Sequence, residues 1–397
     1  MTSFFRTIPK EAFGTKPIVT IRDIEAVVEN FKLFKAKADA TNSICGAVIK
    51  AEAHGLLMID VAPALYQAGV RHFFIEELIE GIALREILPD SDVQIFAMAG
   101  LLDNEESYFI KHNLIPCVNS LEQLQRWNAG WEPSRKGMVV IHLDTHMNRL
   151  GLLDDEVEEL AVNSQELTAN LEVVHYMSHF YDIKGDDHTN CYQQLDVLKT
   201  YLSKLPPAPV SIACTDSVIL LNNNDVNFDL IRPGIGLVGG APGADKPVSE
   251  NARHALEMYT KISQFKWVKK GKTIGYGGAY TVKRDTRLAL AHIGYKDGYL
   301  RLLSETDQDS KGVYMVIGGY RAPLMGKISL GASTIDITDI PQNILDQYGY
   351  AEVVGPNVDI KELADKSGCY EILAALGRPN PKVANYTLDE FSNMHSD

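Results

Sequence analysis

The chain has 397 residues, too many for one ordinary hydrophobic core and enough for two domains. With 45% hydrophobic and 23% charged residues it reads as a soluble globular protein, and its net charge of -14 makes nucleic acid and anionic membrane surfaces poor partners. Its five cysteines include no CxxC pair, MTSFFRTIPKEAFG lacks a signal-peptide core, and no run approaches the roughly 18 apolar residues of a membrane span; together these predict a reducing, cytoplasmic setting.

A long amphipathic helix is predicted over about 23–38. Short apolar runs then alternate with helical patterns. Strands are expected at 44–49, 72–75, 93–98, 114–118, 138–143, 172–177, 210–214 and 228–231, with helices between them, for example at 59–68, 78–88, 121–127 and 191–205. Eight strand segments separated by helices predict a (βα)8 TIM-type barrel over residues 1–250. From about 251 to 397 the pattern changes to β-rich runs: ISQFKWV, RLALAHIGY, GVYMVI, APLMGKI, STIDIT and YAEVVG. Only IKELADKSG and YEILAALG look helical there. A mostly β C-terminal domain is expected.

Working residues of a βα barrel sit just past the C-terminal ends of its strands, and phosphates bind after strands 7 and 8. Lys50 follows the first predicted strand, in SICGAVIKAEAHG, where another core residue is expected. Arg149 lies in DTHMNRLG after the fifth strand and His179 after the sixth. Ser217 ends CTDS after the seventh, and Arg232, Gly234 and Ile235 follow the eighth. Each alone suits solvent contact or turn chemistry. Together they ring one rim. A lysine there, desolvated and near cations, has a free amine available to attack an aldehyde. The aldehyde that pairs with a rim phosphate site is pyridoxal phosphate, with the Ser217 hydroxyl and the backbone at Gly234 and Ile235 holding its phosphate.

His142 and His146, like His175 and His179, are four residues apart. Along extended backbone that spacing covers roughly 13 Å, too far for one metal, so no metal site is expected. In the β domain, Tyr295 ends an apolar strand before a Lys-Asp-Gly turn. Its phenol can act as a base only where cations favour the phenolate.

These motifs resemble those of bacterial alanine racemases, which are fold-type III pyridoxal-phosphate enzymes. AVIKAEAHG resembles the family's V-K-A-[DN]-A-Y-G, and LDTHMNRLGL resembles D-T-G-M-x-R-L-G. DLIRPGIGLVGG resembles R-P-G-I-x-L-Y-G, HIGYKDGYLR resembles V-G-Y-[AG]-D-G-Y, and GCYEILAALGR resembles the late G-Y-E-[VI] segment. The resemblance covers nearly the whole chain, with the motifs in family order. It implies that Lys50 carries pyridoxal 5'-phosphate and is one of two bases, and that Tyr295 of the other subunit of a homodimer is the second. It implies that Arg149 binds the cofactor's phenolic side and the substrate carboxylate, that Arg232 faces the pyridine nitrogen, and that His179 links Tyr295 and Arg232. Ser217, Gly234, Ile235 and Tyr370 would surround the phosphate, with His54 in place of a phosphate-binding tyrosine. Leu330 would offer its backbone N–H to the substrate carboxylate across the dimer. The implied activity is L-alanine to D-alanine interconversion for peptidoglycan. A broader amino-acid racemase, or a weakly active paralogue that mainly binds the cofactor, is the alternative.

Departures from the family pattern mark the chain. His142 stands where many members carry a lysine, often carbamylated; His146 replaces a glycine, Asp216 an asparagine, and Leu330-Gly331 a Met-Asp pair. At the phosphate end, either His54 and Asp216 form an imidazolium–carboxylate pair, or His54 is neutral and fills the tyrosine's space.

Overall fold

The computed structural model describes residues 16–90, 92–132, 134–183, 188–240, 251–358, 360–367, 375–377, 383–387 and 390. It contains two compact units, Glu25–Arg253 and the combination of Met1–Ile24 with His254–Asp397.

Strand β1 (Ile18–Arg22) is buried along its whole length, and four of its five residues are β-branched, a composition that suits a covered sheet position. Helix α1 (Ile24–Asp39) buries Ala26, Val27, Phe31, Phe34 and Ala38, the stripe that helical periodicity predicts.

The barrel unit then alternates as the apolar pattern dictates. Its elements are β2 (Ile44–Cys45), β3 (Ala47–Val48), α2 (Lys50–Gly55), α3 (Met58–Gln67), β4 (His72–Ile75), α4 (Leu78–Ile87), β5 (Gln94–Ala97), α5 (Glu106–Lys111) and β6 (Ile115–Val118). There follow α6 (Leu121–Ala129), β7 (Gly137–His142), α7 (Asp154–Leu167), β8 (Leu171–Met177), α8 (Thr189–Leu202), β9 (Val210–Ser211), α9 (Thr215–Leu220), α10 (Asn224–Asn227) and β10 (Leu230–Ile231). Strands β3 to β9 form a curled, seven-stranded parallel sheet in sequence order. β10 pairs in parallel with β2, and Cys214 bridges Arg232, which brings the last strand position back to the first. The expected strand at 44–49 is thus split into β2 and β3. The expected strand at 228–231 shortens to Leu230–Ile231, because Phe228 has a φ of +46°, outside the extended region. Inside the barrel, Val48, Phe74, Phe96, Ile115, Cys117, Val140, Met177 and Leu230 pack as one cluster, drawing on seven of the eight strand positions. The interior is therefore filled, and chemistry is confined to the rims.

The second unit is mostly β. It contains β11 (Leu256–Val268), β12 (Thr273–Ile274), β13 (Tyr280–Thr281), β14 (Thr286–Ala291), β15 (Tyr314–Ile317), β16 (Tyr320–Pro323) and β17 (Ser333–Asp336). α11 (Gln342–Gln347), β18 (Tyr350–Val354), α12 (Ile360–Ser367) and β19 (Val383–Thr387) complete it. β11 is the hub, pairing with β1, β14 and β18, and β1 also pairs in parallel with β19. This pairing assigns β1, which precedes the barrel in the sequence, to the β unit. IKELADKSG forms α12 as its pattern predicts; YEILAALG falls largely outside the described residues.

Candidate active site

A cavity of about 280 Å³ opens at the C-terminal rim of the barrel. Its wall is built one strand end at a time: Lys50 after β3, Glu76 after β4, Met98 after β5, His142 at the end of β7, His179 after β8, Thr215 after β9 and Arg232 after β10. Arg149, His54, Gly234 and Ile235 complete it. Seven of the residues singled out in the sequence thus meet in one place although 185 positions separate Lys50 from Ile235.

Lys50 enters the cavity from an unusual piece of backbone. Ala51, Glu52, Ala53 and His54 all have φ between +51° and +57°, a left-handed turn of four non-glycine residues. Each costs about 1 kcal/mol or more relative to a right-handed turn. Glu80 offsets this cost from below, one carboxylate oxygen accepting the Ala51 N–H at 2.7 Å and the other the Glu76 N–H at 2.7 Å. The Lys50 ammonium forms an ion pair with Glu76. The sequence argument looks for cations around this lysine; its ion-pair partner is an anion.

The turn carries His54 to the phosphate end. Its Nε2 is buried without a hydrogen-bond partner among the described residues. A Cβ added at Gly234 would lie 3.2 Å from this nitrogen and 3.2 Å from Val48 Cβ, so a glycine keeps this wall open. Burial, with the Lys50 charge adding to it, lowers the His54 pKa to about 4. His54 is therefore neutral at pH 7 here, which favours the space-filling reading over the imidazolium–carboxylate pair. Ile235 opens the short 3-10 turn Ile235–Val238, and its N–H has no acceptor among the described residues.

Ser217 is not on the cavity wall. It is fully buried, with Oγ accepting the Cys214 N–H at 2.9 Å and donating to the Cys214 carbonyl at 3.1 Å. Thr215 lines the cavity instead, and its Oγ1 accepts the N–H groups of Gly234 and Gly236, both at 3.1 Å. The CTDS segment supplies two hydroxyls, and the turn into α9 decides which one faces inward.

Arg232 is 5% exposed, held by Ser211 Oγ and by the Ser178 carbonyl at 2.6 Å. Burial lowers its pKa to about 10, which leaves it a cation at pH 7. Arg149 is exposed on the opposite wall and makes no hydrogen bond or ion pair among the described residues. Its loop is braced: Asp144 Oδ1 accepts the Met147 and Asn148 N–H groups at 2.8 and 3.1 Å, and Thr145 Oγ1 lies 2.8 Å from Ser178 Oγ. His146 holds a φ of +77°, a conformation natural to glycine.

His142 and His179 are pushed down to about 3, chiefly by burial, with the charges of Arg232 and Arg149 adding to it. Both are neutral at pH 7. The tautomer of His142 follows from its partner. Asn119 donates its amide to the carbonyls of Met98 and Cys117 at 3.2 and 2.9 Å, so its Oδ1 is left to accept. His142 Nδ1, at 2.7 Å, must therefore carry the proton, and Nε2 is an acceptor. Asn119, Thr215 and Glu76 escaped the sequence argument. The strand-end rule that found Lys50 applies equally to Glu76, the residue after HFFI.

The β unit brings together a second set. Tyr295 and Lys296 donate backbone N–H groups to Ser329 and Leu330 at 3.1 and 3.0 Å. Gly294 makes this approach possible, because a Cβ there would stand 2.3 Å from the Ser329 oxygen. Tyr295 and Leu330 lie side by side, 41% and 55% exposed, and the Arg301 guanidinium is 5.6 Å from the Tyr295 ring centroid. Tyr370 lies outside the described residues.

The alanine racemase N-terminal domain matches residues 22–242 and the alanine racemase C-terminal domain residues 255–384. The chain belongs to the alanine racemase family. It is 33% identical to an alanine racemase of Rhizobium meliloti over 90% of this chain and 93% of the relative. It is 31% identical to a biosynthetic alanine racemase of Agrobacterium fabrum, over 92% and 93% of the two chains. Among solved structures, a Bartonella henselae alanine racemase with covalently bound pyridoxal phosphate superposes with a TM-score of 0.82 at 28% identity, covering 94% of this chain and 99% of that one. In this chain the barrel unit precedes a mostly β unit in sequence, and the strand-end residues of the barrel face one cavity.

Proposed function

We infer that this chain is a pyridoxal-phosphate-dependent isomerase that interconverts L-alanine and D-alanine with Lys50 and Tyr295 as its two bases. The observation that carries this reading is the convergence of Lys50, Arg149, His179, Arg232 and Gly234 on one cavity in a chain matched along its length by alanine racemases. The residues suit the cofactor. His54 Nε2, buried without a hydrogen-bond partner among the described residues, lies where Gly234 leaves room, and a phosphate there would favour the protonated ring whose Nε2 donates; the Ile235 N–H, without an acceptor among the described residues, is a second donor.

Pyridoxal phosphate supplies the electron sink that stabilises negative charge on the substrate α-carbon. Lys50 would hold it through Nζ, and Thr215, Gly234, Ile235 and His54 would hold its phosphate. Arg232 would meet the pyridine nitrogen; a guanidinium does not give up its proton readily, so it would leave that nitrogen unprotonated and the sink weak. Arg149, without a hydrogen bond or ion pair among the described residues, would bind the substrate carboxylate. Lys50 Nζ moves the α-proton on one face and the Tyr295 hydroxyl on the other, so the substrate need not turn over.

Tyr295 and Leu330 serve the site of a second subunit in a homodimer. Their exposure beside Arg301, with a chain 92% to 93% covered by its relatives, supports this arrangement. The product supplies D-alanine for peptidoglycan in the cytoplasm; among the described residues no helix is long and apolar enough to cross a membrane. The test is incubation of the loaded protein with L-alanine in deuterium oxide. D-alanine carrying deuterium at the α-carbon is expected. Failure to form D-alanine would refute the reading.

A further inference from the structure

The Lys50–Glu76 ion pair is the feature of the cavity that the two-base scheme leaves unused. Glu76 is placed with some care. It follows β4, and its N–H is tied at 2.7 Å to the Glu80 carboxylate that also holds the Ala51 N–H at 2.7 Å. One carboxylate thus fixes both the turn that follows Lys50 and the backbone of the residue that pairs with it. The other charged and titratable groups of the wall are the cations Arg149 and Arg232, Asp216, the Cys214 thiol, which burial pushes up, and the histidines 54, 142 and 179, all three neutral at pH 7.

A neutral amine that removes a proton ends the step as a cation. When the Lys50 amine takes the α-proton, the C–H bond breaks, an N–H bond forms, and the bond's electron pair stays with the substrate. The lysine is then an ammonium in a cavity that already holds two guanidiniums. The structure sets the Glu76 carboxylate against the Lys50 Nζ, where it meets that charge. We propose that Glu76 is a positioning residue that neutralises the ammonium Lys50 becomes on accepting the substrate α-proton, so that proton removal on the lysine face ends in an ion pair. This rests on Lys50 acting as a racemising base.

The same pairing has an opposite consequence for the unloaded protein. There the ammonium must shed its proton before the amine can attack the cofactor's aldehyde, and Glu76 opposes that loss. Removing its charge should speed cofactor attachment and slow racemisation. Glu76→Gln keeps the shape and removes the charge; Glu76→Asp keeps the charge. The unloaded wild type and both variants are mixed with pyridoxal 5'-phosphate, and attachment is followed by absorbance between about pH 6 and 9. Loaded protein is then assayed with L- and D-alanine.

In Glu76→Gln, attachment at pH 7 should be about tenfold faster. kcat/KM for racemisation should fall about tenfold, equally for both enantiomers because they are equally stable. Glu76→Asp should lie closer to wild type on both readouts. Slowing of both attachment and racemisation in Glu76→Gln would make Glu76 a structural support and overturn the proposal. So would an unchanged attachment profile. A wild-type protein that attaches the cofactor and does not racemise alanine would instead refute the function on which the proposal rests.

Discussion

Removing the cofactor should make this protein acutely sensitive to mild acid. Four histidines are held neutral by burial: His54 and His175 have pKa values lowered to about 4, and His142 and His179 to about 3. In the unfolded chain each returns to about 6.5. Because the folded values are depressed, the unfolded state binds more protons between those limits. Stability is therefore fully present above about pH 6.5 and is lost as pH falls toward 4. Each proton is worth about 1.4 kcal/mol per pH unit, so four give a slope of roughly 5 kcal/mol per unit near pH 5. That is comparable with the whole stability of a typical domain, about 5–15 kcal/mol. The assay is urea unfolding of the unloaded protein in half-unit steps from about pH 7.5 to 5, with the folding transition followed by circular dichroism. Most carboxylates titrate below this window, so the slope isolates the histidines. Three of the four line the cavity. A bound phosphate favours a charged His54, so loaded protein should lose less stability over the same range. A flat stability from pH 7 to 5, or unfolding accompanied by uptake of less than about one proton, would refute the argument.

Other positions give sharper local tests. Gly234→Ala should leave the urea midpoint nearly unchanged, since His54 and Val48 need yield only slightly, and should weaken cofactor binding about tenfold or more by equilibrium titration. Thr215→Val should weaken cofactor binding, whereas Ser217→Ala should mainly cost about 1 kcal/mol of folding stability, because its hydroxyl bonds the Cys214 backbone; the reverse pattern would return the phosphate role to Ser217. His146→Gly should raise stability by about 1 kcal/mol in thermal or urea unfolding by relieving a left-handed histidine. Mixing inactive Lys50→Ala with inactive Tyr295→Phe chains should restore part of the racemisation, and no recovery in verified mixed dimers would argue for a site within one chain.

The barrel was legible because its strands are short apolar runs with helical stripes between them, and the rim residues follow from the strand-end rule. Lys50, Arg149, His179, Arg232 and Gly234 were found this way and share one cavity. β1 was missed because its role depends on pairing with β11 and β19, more than 200 residues away. Local pattern carries no trace of such a partner. Ser217 was chosen over Thr215 because both are hydroxyls on one turn, and only the backbone path of α9 separates them. The charge of His54 was left open between two readings for a related reason. Its pKa is set by burial and by Lys50, and burial of a side chain on a left-handed turn cannot be read from residue order. Glu76 is one of several acids in EELIE, and only the fold sets it beside Lys50.

Borohydride reduction followed by peptide mass mapping shows which amine carries the cofactor, because reduction fixes the cofactor to the amine that holds it. The added mass is expected on the peptide containing Lys50, in proportion to the lost racemase activity, and absent in Lys50→Ala. Label found instead on another lysine, with Lys50 unmodified, would contradict Lys50 as the carrier.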